Sequence, residues 1–225
     1  MRGGAPPQRV SLHYIADRDV DGWPAGAATK GTRVIDLHCH VLPEIDDGAA
    51  SLDVSRRMLT MARAMGFRTV VATPHLTAPL DAGYDARVLS AFAAVLPVAQ
   101  ELGIYLLPGF EARLTPELAD RLAAGERATL ANSRAVLVDL PLLELPSFTE
   151  TALFALQTAG FQPILAHPER YPDIQRRPEL GRELAERGVA LQITVSSLAG
   201  VFGKDARRAA EALLRLGAVH LVATD

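Results

Sequence analysis

The sequence predicts an α/β protein built on parallel strands, with a barrel favoured over an open sheet. From residue 33 onward, short apolar segments rich in β-branched residues alternate with longer amphipathic segments. Strict alternation of this kind gives parallel strands that are covered by helices. The barrel is favoured because seven predicted strands alternate with six predicted helices, and because no G-x-G-x-x-G or Walker lysine motif indicates an open nucleotide-binding sheet.

The strands are assigned to the segments that are too short and too β-branched to be helices. The predicted strands are residues 33–37, 68–73, 104–108, 134–140, 162–166, 189–194 and 219–223. Each of the first six is followed by a loop and a helical segment, so consecutive strands are expected to run in the same direction.

The helices are assigned from apolar periodicity and from signals at their ends. The predicted helices are residues 51–65, 86–102, 116–124, 148–159, 178–187 and 205–216. Five helix–strand junctions carry a glycine, which can take a left-handed conformation without a Cβ penalty. These glycines are Gly66, Gly103, Gly160, Gly188 and Gly217.

Local signals refine three of these helices. Pro97 is expected to kink or split the second helix. Thr115 before Pro116 predicts the N-cap of the third, and Ser147 with Glu150 forms a capping box for the fourth. The apolar face predicted for the first helix consists of Val54, Met58, Met61 and Met65.

The composition excludes several classes of protein. Apolar residues make up 49% of the chain and charged residues 22%, which is typical of a globular core rather than of a disordered chain. The 23 basic and 26 acidic residues give a net charge of −3, so nucleic-acid binding is not expected. The single cysteine, Cys39, excludes a disulfide framework. No apolar run approaches the roughly 18 residues of a membrane-spanning helix, so membrane insertion is not expected.

The first 32 residues differ from the rest of the chain. Residues 1–7 are rich in Gly and Pro, and residues 21–31 are again interrupted by Gly, Ala and Pro. We predict that residues 1–32 form a mostly disordered extension and that residues 33–225 form the folded domain. The extension has no continuous apolar region of the kind found in a signal peptide, so a cytoplasmic location is expected. The sequence gives no indication of the oligomeric state.

Side chains that bind metals follow nearly every predicted strand. The carboxyl ends of parallel strands meet at one edge of the fold, where the chemistry of such proteins takes place. The residues found there are His38, His40, Asp46, Asp47, His75, Glu111, Asp139, His167 and Asp225. Imidazoles mixed with carboxylates suit Mn²⁺, Zn²⁺ or Fe and disfavour a pure Ca²⁺ site. The sequence therefore predicts a metal centre at this edge.

The histidine pair after the first strand fits such a centre. Residues i and i+2 of an extended segment point to the same side, so His38 and His40 can reach one metal while Cys39 points away. A cysteine phosphatase needs a phosphate-binding loop that ends in arginine, and Ile45 stands at the corresponding position. Cys39 is therefore interpreted as a buried structural residue.

Other candidate residues have an alternative structural interpretation. Glu111 and Asp139 could simply cap strand ends, and Asp47 could belong to a turn before Gly48. Arg170 follows a histidine motif, and its guanidinium suits a pair of phosphate oxygens. A surface salt bridge is the alternative for Arg170.

These motifs, taken together, resemble the bacterial CpsB/CapC family. Its members are metal-dependent protein-tyrosine phosphatases of the PHP (polymerase and histidinol phosphatase) superfamily. The resemblance covers roughly residues 33–225. The motifs that carry it are Asp36-Leu37-His38-Cys39-His40, Ile45-Asp46-Asp47-Gly48, Thr73-Pro74-His75, Gly109-Phe110-Glu111, His167-Pro168-Glu169-Arg170-Tyr171, Phe202-Gly203-Lys204 and Ala223-Thr224-Asp225.

The resemblance implies a distorted (β/α)7 barrel of the PHP type with two or three bound metal ions. Mn²⁺ is the ion implied first, with Zn²⁺, Fe or Co²⁺ as alternatives. The implied substrate is a phosphotyrosine-containing protein, and the implied partner is a bacterial tyrosine kinase of capsular or exopolysaccharide biosynthesis. Arg170 would bind the phosphate, and both Arg170 and Asp47 would serve catalysis. The implied ligands are His38, His40, Asp47, His75, Glu111, Asp139, His167 and Asp225.

The chain departs from the family pattern in two places. Asp139 stands where the family usually has glutamate. The pattern also continues past Asp225 with an Asp-x-His motif and a further helix that carries a second arginine. We therefore expect the barrel to be C-terminally truncated, with its last helix missing, and the intact form to be longer by about 20–40 residues.

Three other functions stay open on the sequence alone. A PHP enzyme of another kind would act on a small phosphate monoester such as histidinol phosphate, or on a phosphodiester. A chain without the last ligand could be a non-catalytic module that binds phosphate or metal. An amidohydrolase is disfavoured, since that class usually needs a bridging lysine and no predicted strand end carries one.

Overall fold

The computed structural model describes residues 34–225, and the predicted extension over residues 1–32 lies outside them. Within the described residues, nine strands and eight α-helices follow one another. The strands are β1 (Val34–Cys39), β2 (Phe67–Ala72), β3 (His75–Leu76), β4 (Tyr105–Pro108), β5 (Glu111–Arg113), β6 (Ala135–Asp139), β7 (Gln162–Ala166), β8 (Ala190–Thr194) and β9 (Leu221–Ala223). The helices are α1 (Leu52–Ala64), α2 (Ala82–Glu101), α3 (Leu118–Ala123), α4 (Thr149–Thr158), α5 (Pro172–Arg176), α6 (Glu179–Glu186), α7 (Val195–Leu198) and α8 (Gly203–Arg215).

The strands form two sheets in which every pair is parallel, as the alternation of segments predicts. One sheet has the order β1-β2-β4, and the other has the order β3-β5-β6-β7-β8-β9. All seven predicted strands are present. The short strands β3 and β5 are additional, and their register places His75 opposite Glu111.

The last strand of the larger sheet is bonded to the first strand of the smaller one. The backbone N–H of Asp225 donates to the carbonyl oxygen of His38 over 2.9 Å. The N–H and hydroxyl of Thr224 both donate to the carboxylate of Asp36, over 3.1 and 2.5 Å. These bonds bring the carboxyl ends of β1 and β9 together.

The two faces of the strands enter two different apolar clusters. The larger cluster lies between the sheets and the helices and includes Val70, Val136 and Leu165. Alternate strand positions of both sheets, together with Leu130 from the turn before β6, form a smaller cluster. We call it the inner apolar cluster, and its buried members are Leu37, Val71, Leu130, Leu137, Ile164 and Ala166. Alternation along each strand therefore separates a helix-covered face from an inner face.

The five predicted junction glycines all adopt positive φ angles, between 65° and 101°. They end α1, α2, α4, α6 and α8, as expected of the C′ position. The sequence signals at these helix ends are thus confirmed.

The predicted apolar face of α1 is correct only in part, since Val54 and Met58 are half-buried and Met58 packs against the larger apolar cluster. The buried side chains of α1 are Ser55, Leu59 and Ala62, whereas Met61 and Met65 are exposed. The two faces lie one residue apart on the same helix, and both satisfy a helical spacing. The prediction took the flexible methionines to be core residues, and it therefore chose the face that is more exposed.

Of the two outcomes predicted for Pro97, a kink or a split, the split does not occur. Helix α2 runs unbroken through Pro97, and it begins earlier than predicted because the Asp81 carboxylate caps the N–H groups of Gly83 and Tyr84. Buried Val95 and Val98 lie on either side of the proline and hold the helix on the core. Tertiary packing thus offsets the hydrogen bond that the proline cannot donate.

The two predicted N-caps of α3 and α4 are not formed. The Thr115 hydroxyl makes no hydrogen bond among the described residues, and α3 begins only at Leu118. Helix α4 has no side-chain cap, and Glu150 instead pairs with Arg187. Short polar motifs at loop ends are weak signals because tertiary partners compete for the same side chains.

One described helix, α2, has the length and apolar composition of a membrane-crossing helix. The sequence expectation recognised no such segment and is corrected on this point. Core helices pass the same test, and α2 turns Val88, Val95 and Ala99 into the core. Length and composition alone are weak evidence for a membrane span.

Candidate metal centre

The structure brings all eight predicted ligands to the carboxyl edge of the strands. His38 lies near the end of β1, and His75 and Glu111 come shortly after the ends of β2 and β4. The ligand atoms fall into four overlapping groups, and within each group they lie within 4.8 Å of one another. We call this set the ligand cluster: His38, His40, Asp47, His75, Glu111, Asp139, His167 and Asp225.

The Glu111 carboxylate stands at the middle of the ligand cluster and is buried. Its Oε1 lies 2.8 Å from Nε2 of His167. Its Oε2 lies 2.8 Å from Nδ1 of His75, 3.4 Å from Nε2 of His40 and 3.5 Å from Nε2 of His38. Although burial acts to raise it, the interactions with the four surrounding imidazoles hold the pKa of Glu111 far below its usual range.

His38 on β1 and His40 just after it are oriented by acceptors at their Nδ1 atoms. Nδ1 of His38 lies 2.7 Å from Oε1 of Gln192, and Nδ1 of His40 lies 2.8 Å from Oδ2 of Asp46. Because both partners accept, both Nδ1 atoms carry a proton, and in the neutral rings both Nε2 atoms present lone pairs. These Nε2 atoms are 3.1 Å apart. Facing lone pairs at this distance fit a shared cation.

Buried polar atoms that lack a hydrogen-bond partner also fit a bound cation. Nδ1 of His75 and Oε2 of Glu111 lie close together, yet neither atom forms a hydrogen bond within the described residues. Nδ1 of His167 is also buried without a partner there. Buried polar atoms of this kind are rare unless an ion or water satisfies them. The donor set of imidazoles and carboxylates therefore fits divalent metal ions.

His40 shows how strongly the cluster favours positive charge. Burial acts to lower its pKa, but hydrogen bonds to Asp225, Asp46 and Glu111 outweigh burial and raise the pKa of His40 to about 12. Such a field stabilises a cation at Nε2 in the folded protein, whether proton or metal.

Asp47 lies at the exposed rim of the cluster. Its Oδ1 is 3.4 Å from Nε2 of His75, and its side chain is 82% exposed. The adjacent Gly48 permits the loop to approach the site, because a Cβ there would stand 2.2 Å from the carbonyl oxygen of His40. The turn expected before Gly48 thus brings Asp46 to His40 and Asp47 to His75.

Asp139 is held by a residue that the sequence did not single out. Nε and Nη2 of Arg113 lie 3.0 and 2.8 Å from the two Asp139 oxygens. Burial and the charge of Glu111 raise the pKa of Asp139 to about 6, and Arg113 acts in the opposite direction. A bidentate arginine occupies lone pairs that a metal ligand would otherwise offer, so Asp139 is the ligand candidate with the most competition.

Arg170 does not form the surface salt bridge considered as its alternative. Its Nη1 lies 2.9 Å from Oδ2 of Asp225, whose Oδ1 lies 3.3 Å from Nε2 of His38. His167 adopts a left-handed conformation, with φ 35°, directly before Pro168. This strained residue starts the short turn that carries Arg170 to the edge of the cluster.

Cys39 is buried and belongs to the larger apolar cluster. Burial raises the pKa of its thiol well above the usual range, which disfavours a thiolate. The structural interpretation of Cys39 agrees with this environment.

Sequence reasoning missed the orienting roles of the residues behind the ligands, although it named Asp46 among the metal-binding candidates. Gln192 and Asp46 orient His38 and His40, and Glu169 accepts from the Thr194 N–H and the Ser197 hydroxyl. Gln192 did leave a signal, since it is polar within the apolar strand Leu191-Gln192-Ile193. Such supporting partners fix the tautomer and orientation of metal-binding histidines.

Parallel strands with a buried imidazole–carboxylate cluster at their carboxyl edge define the class of protein: an α/β protein with a candidate divalent-metal centre. The profile of the family described as "Capsular polysaccharide synthesis, CpsB/CapC" matches residues 34–225. The chain belongs to the CpsB/CapC family.

Named relatives agree with this assignment. The chain is 35% identical over 194 residues to the tyrosine-protein phosphatase YwqE of Bacillus subtilis, covering 85% of this chain and 76% of the relative. It is 28% identical over 199 residues to the tyrosine-protein phosphatase CpsB of Streptococcus pneumoniae, covering 85% and 82%. It also matches a solved structure from the work described as crystal structures of YwqE and CpsB, "unique metal-dependent tyrosine phosphatases". That match has a TM-score of 0.76 and 35% identity, and covers 84% of this chain and 78% of the other.

Proposed function

We propose that this protein hydrolyses phosphotyrosine in proteins with the help of bound divalent metal ions. The observation that carries the proposal is the buried Glu111 carboxylate, which four imidazoles surround while Arg170 stands at the edge of the same cluster. Such a site binds cations in its interior and offers a guanidinium to phosphate at its rim. Two relatives named as tyrosine phosphatases support the choice of substrate.

The same proposal extends to the architecture. We propose that residues 33–225 form the distorted (β/α)7 barrel of the PHP type. The hydrogen bonds between the ends of β1 and β9 support it, because they join the two sheets at the edges where a barrel would close.

Two or three Mn²⁺ ions are the proposed cofactor, with Zn²⁺, Fe or Co²⁺ as alternatives. The eight residues of the ligand cluster would hold them, and the four overlapping groups of ligand atoms support more than one ion. When bound, such ions lower the pKa of a water nucleophile and neutralise charge that develops on the phosphate.

The chain's own residues bind and orient the phosphoryl group. Arg170 would hold two phosphate oxygens, and Asp225 orients Arg170 through the 2.9 Å contact to its Nη1. The leaving tyrosinate has a pKa near 10, so a strong general acid is less necessary than for an alkyl ester. Cys39 takes no part, because its thiol is buried among apolar side chains.

The proposed protein substrate is a tyrosine kinase that governs capsule or exopolysaccharide synthesis, and the proposed place of action is the cytoplasm. The family description supports the link to capsule synthesis. The direct test is to incubate the purified, phosphorylated kinase with this protein and to measure the loss of phosphotyrosine from the kinase.

The central test is turnover of a phosphotyrosine peptide by the metal-loaded protein. Chelation should abolish activity, Mn²⁺ should restore it, and His38→Ala should not be restorable. Cys39→Ser is the control and should stay active. Activity that survives chelation or His38→Ala would contradict the proposal, and loss of activity in Cys39→Ser would favour a cysteine nucleophile.

A parallel panel separates the alternative substrates. Histidinol phosphate and an oligonucleotide should be turned over much more slowly than the phosphotyrosine peptide. Faster turnover of either would assign the site to another PHP activity. Full metal occupancy without hydrolysis of any of the three would indicate a binding module instead.

A further inference from the structure

An aromatic ring lies exposed beside the proposed phosphate-binding arginine. Cζ of Arg170 stands 4.3 Å from the ring centroid of Phe202. Stacking of a guanidinium on an aromatic face is favourable and fixes the plane of the guanidinium. Phe202 is nevertheless 41% exposed, so the ring has surface left over after Arg170 covers part of it.

The position of Phe202 follows from the segment after β8. Between α7 and α8 the chain turns through Gly200, Val201 and Phe202. Gly200 and Gly203, the first residue of α8, both have positive φ. A Cβ added to Gly203 would meet no other atom within 4 Å, and this turn leads directly into α8. The turn therefore presents Phe202 from the carboxyl edge of β8, next to the β7 edge that carries Arg170.

Further apolar side chains are exposed in segments on both sides of Arg170. Val195 and Val201 are exposed after β8, and Leu142 and Leu143 are exposed after β6. Strands β6 and β8 both neighbour β7 in the sheet, so these exposed residues follow the two strands that flank the strand leading to Arg170. Exposed apolar groups around a polar site are typical of a surface that a ligand covers.

We propose that Phe202 is a specificity-determining residue that receives the aromatic ring of the substrate's leaving group. The proposal rests on the function proposed above and names the chemical feature by which the site recognises an aryl phosphate. A phosphoryl group held by Arg170 has its ester oxygen, and then the ring of an aryl ester, within reach of the adjacent aromatic side chain. Edge-to-face or offset contact between the two rings is favourable, whereas an alkyl ester presents no ring.

A matched pair of non-hydrolysable ligands tests this directly. Phenylphosphonate and methylphosphonate share the phosphonate group and differ in the ring, so their affinities for the metal-loaded protein isolate the contribution of the ring. Titration calorimetry should show that the unaltered protein binds phenylphosphonate about 10-fold more tightly than methylphosphonate, a ratio equivalent to about 1.4 kcal/mol. In Phe202→Ala the ratio should fall below about 2-fold, and in Phe202→Tyr it should be retained.

Phe154→Ala is the matched control, because Phe154 is an exposed phenylalanine on α4. It should leave both affinities unchanged. A role limited to supporting Arg170 predicts that Phe202→Ala weakens both phosphonates equally, and that result would overturn the proposal. An unchanged ratio in Phe202→Ala, or no preference for the phenyl ligand in the unaltered protein, would overturn it as well.

The outcome is distinguishable from failure of the proposed function. A protein that prefers phenylphosphonate through Phe202 but turns over no phosphotyrosine peptide would keep the ring contact and lose the enzymatic proposal. A protein that hydrolyses the peptide with the same kcat/KM in Phe202→Ala, and with an unchanged phosphonate ratio, would keep the enzymatic proposal and lose the ring contact.

Discussion

The inner apolar cluster and the ligand cluster are built on the same strands, yet they place opposite demands on the fold. On β6, Leu137 belongs to the first and Asp139 to the second. On β7, Ile164 and Ala166 are followed at once by His167. One or two residues along a strand thus separate an apolar environment from a cluster of ionisable groups.

The difference between them is that only one cluster is complete by itself. Burial of the apolar side chains stabilises the fold by about 25 cal/mol for each Å² removed from water. Burial of carboxylates and imidazoles is unfavourable unless each is paired, and Nδ1 of His75, Nδ1 of His167 and Oε2 of Glu111 have no hydrogen-bond partner among the described residues. Stability therefore rests on the first cluster, while the second needs bound cations to complete it.

The sharpest test of this separation is Glu111→Gln, which keeps the shape of the central side chain and removes its charge. We expect kcat/KM for a phosphotyrosine peptide to fall about 1000-fold or more, because metal ions supply several kcal/mol of charge stabilisation. Metal content per chain should fall with it. Activity within 10-fold of the unaltered protein would show that the buried carboxylate is not needed to hold the ions.

A smaller loss is expected from Gly48→Ala, which removes no ligand side chain. The new Cβ would meet the carbonyl oxygen and Cβ of His40 at 2.2 and 2.3 Å, so the loop that carries Asp46 and Asp47 must move. A displacement of about 1 Å near a reacting centre lowers the rate by about 100-fold. The measurement is kcat/KM at saturating Mn²⁺.

Gly83→Ala is the control for this substitution. Gly83 lies in the first turn of α2, and its nearest neighbour at 3.1 Å is an Asp81 side-chain oxygen that can shift. We expect Gly83→Ala to retain full activity. Equal activity of the Gly48→Ala protein would mean that the loop does not position His40.

A substitution at Glu169 tests the positioning of Arg170 separately from metal binding. Glu169 supports the turn that carries Arg170, and the hydrogen-bond partners of its carboxylate, Thr194 and Ser197, are not ligands. Its Oε1 accepts from the Thr194 N–H over 2.9 Å and from the Ser197 hydroxyl over 2.6 Å. Glu169→Ala leaves both donors unpaired, so we expect a loss of about 1–3 kcal/mol in urea unfolding and a roughly 10-fold loss of kcat/KM.

Glu169→Gln keeps an acceptor oxygen at the same place and should restore most of both losses. Metal content should be unchanged in either variant. Loss of metal in Glu169→Ala would place this residue among the supports of the ligands themselves, and a KM rise without a change in kcat would limit its role to phosphate binding.

The sequence predicts the parts of this molecule that depend on neighbouring residues. Strand–helix alternation predicts the parallel strands, and the five junction glycines predict the helix ends. The same logic predicts the ligand candidates, because carboxyl ends of parallel strands converge. All eight candidates are brought together.

What the sequence misses depends on contacts between distant segments. Strands β3 and β5 are too short to leave a periodic signal, and they exist because the chain pairs His75 with Glu111. Arg113 reaches Asp139 across neighbouring strands, and Glu169 reaches the turn after β8. The partly wrong face of α1 has the same origin, since only the sheet beneath the helix decides between two faces of similar spacing.

The smallest effect on activity is expected from substitution of Ile164, which shares a strand with the segment leading to His167 but is not a ligand. Ile164 is buried in the inner apolar cluster, and its register partners are Leu137 and Ala190 rather than any ligand. Ile164→Ala should lower the free energy of unfolding by about 2–5 kcal/mol, the cost of lost burial and a residual cavity. The kcat/KM of the folded fraction should stay within about twofold, since His167 is held by its own contact to Glu111. A large loss of kcat/KM with little loss of stability would mean instead that apolar packing sets the geometry of the ligands, and that the two clusters act as one.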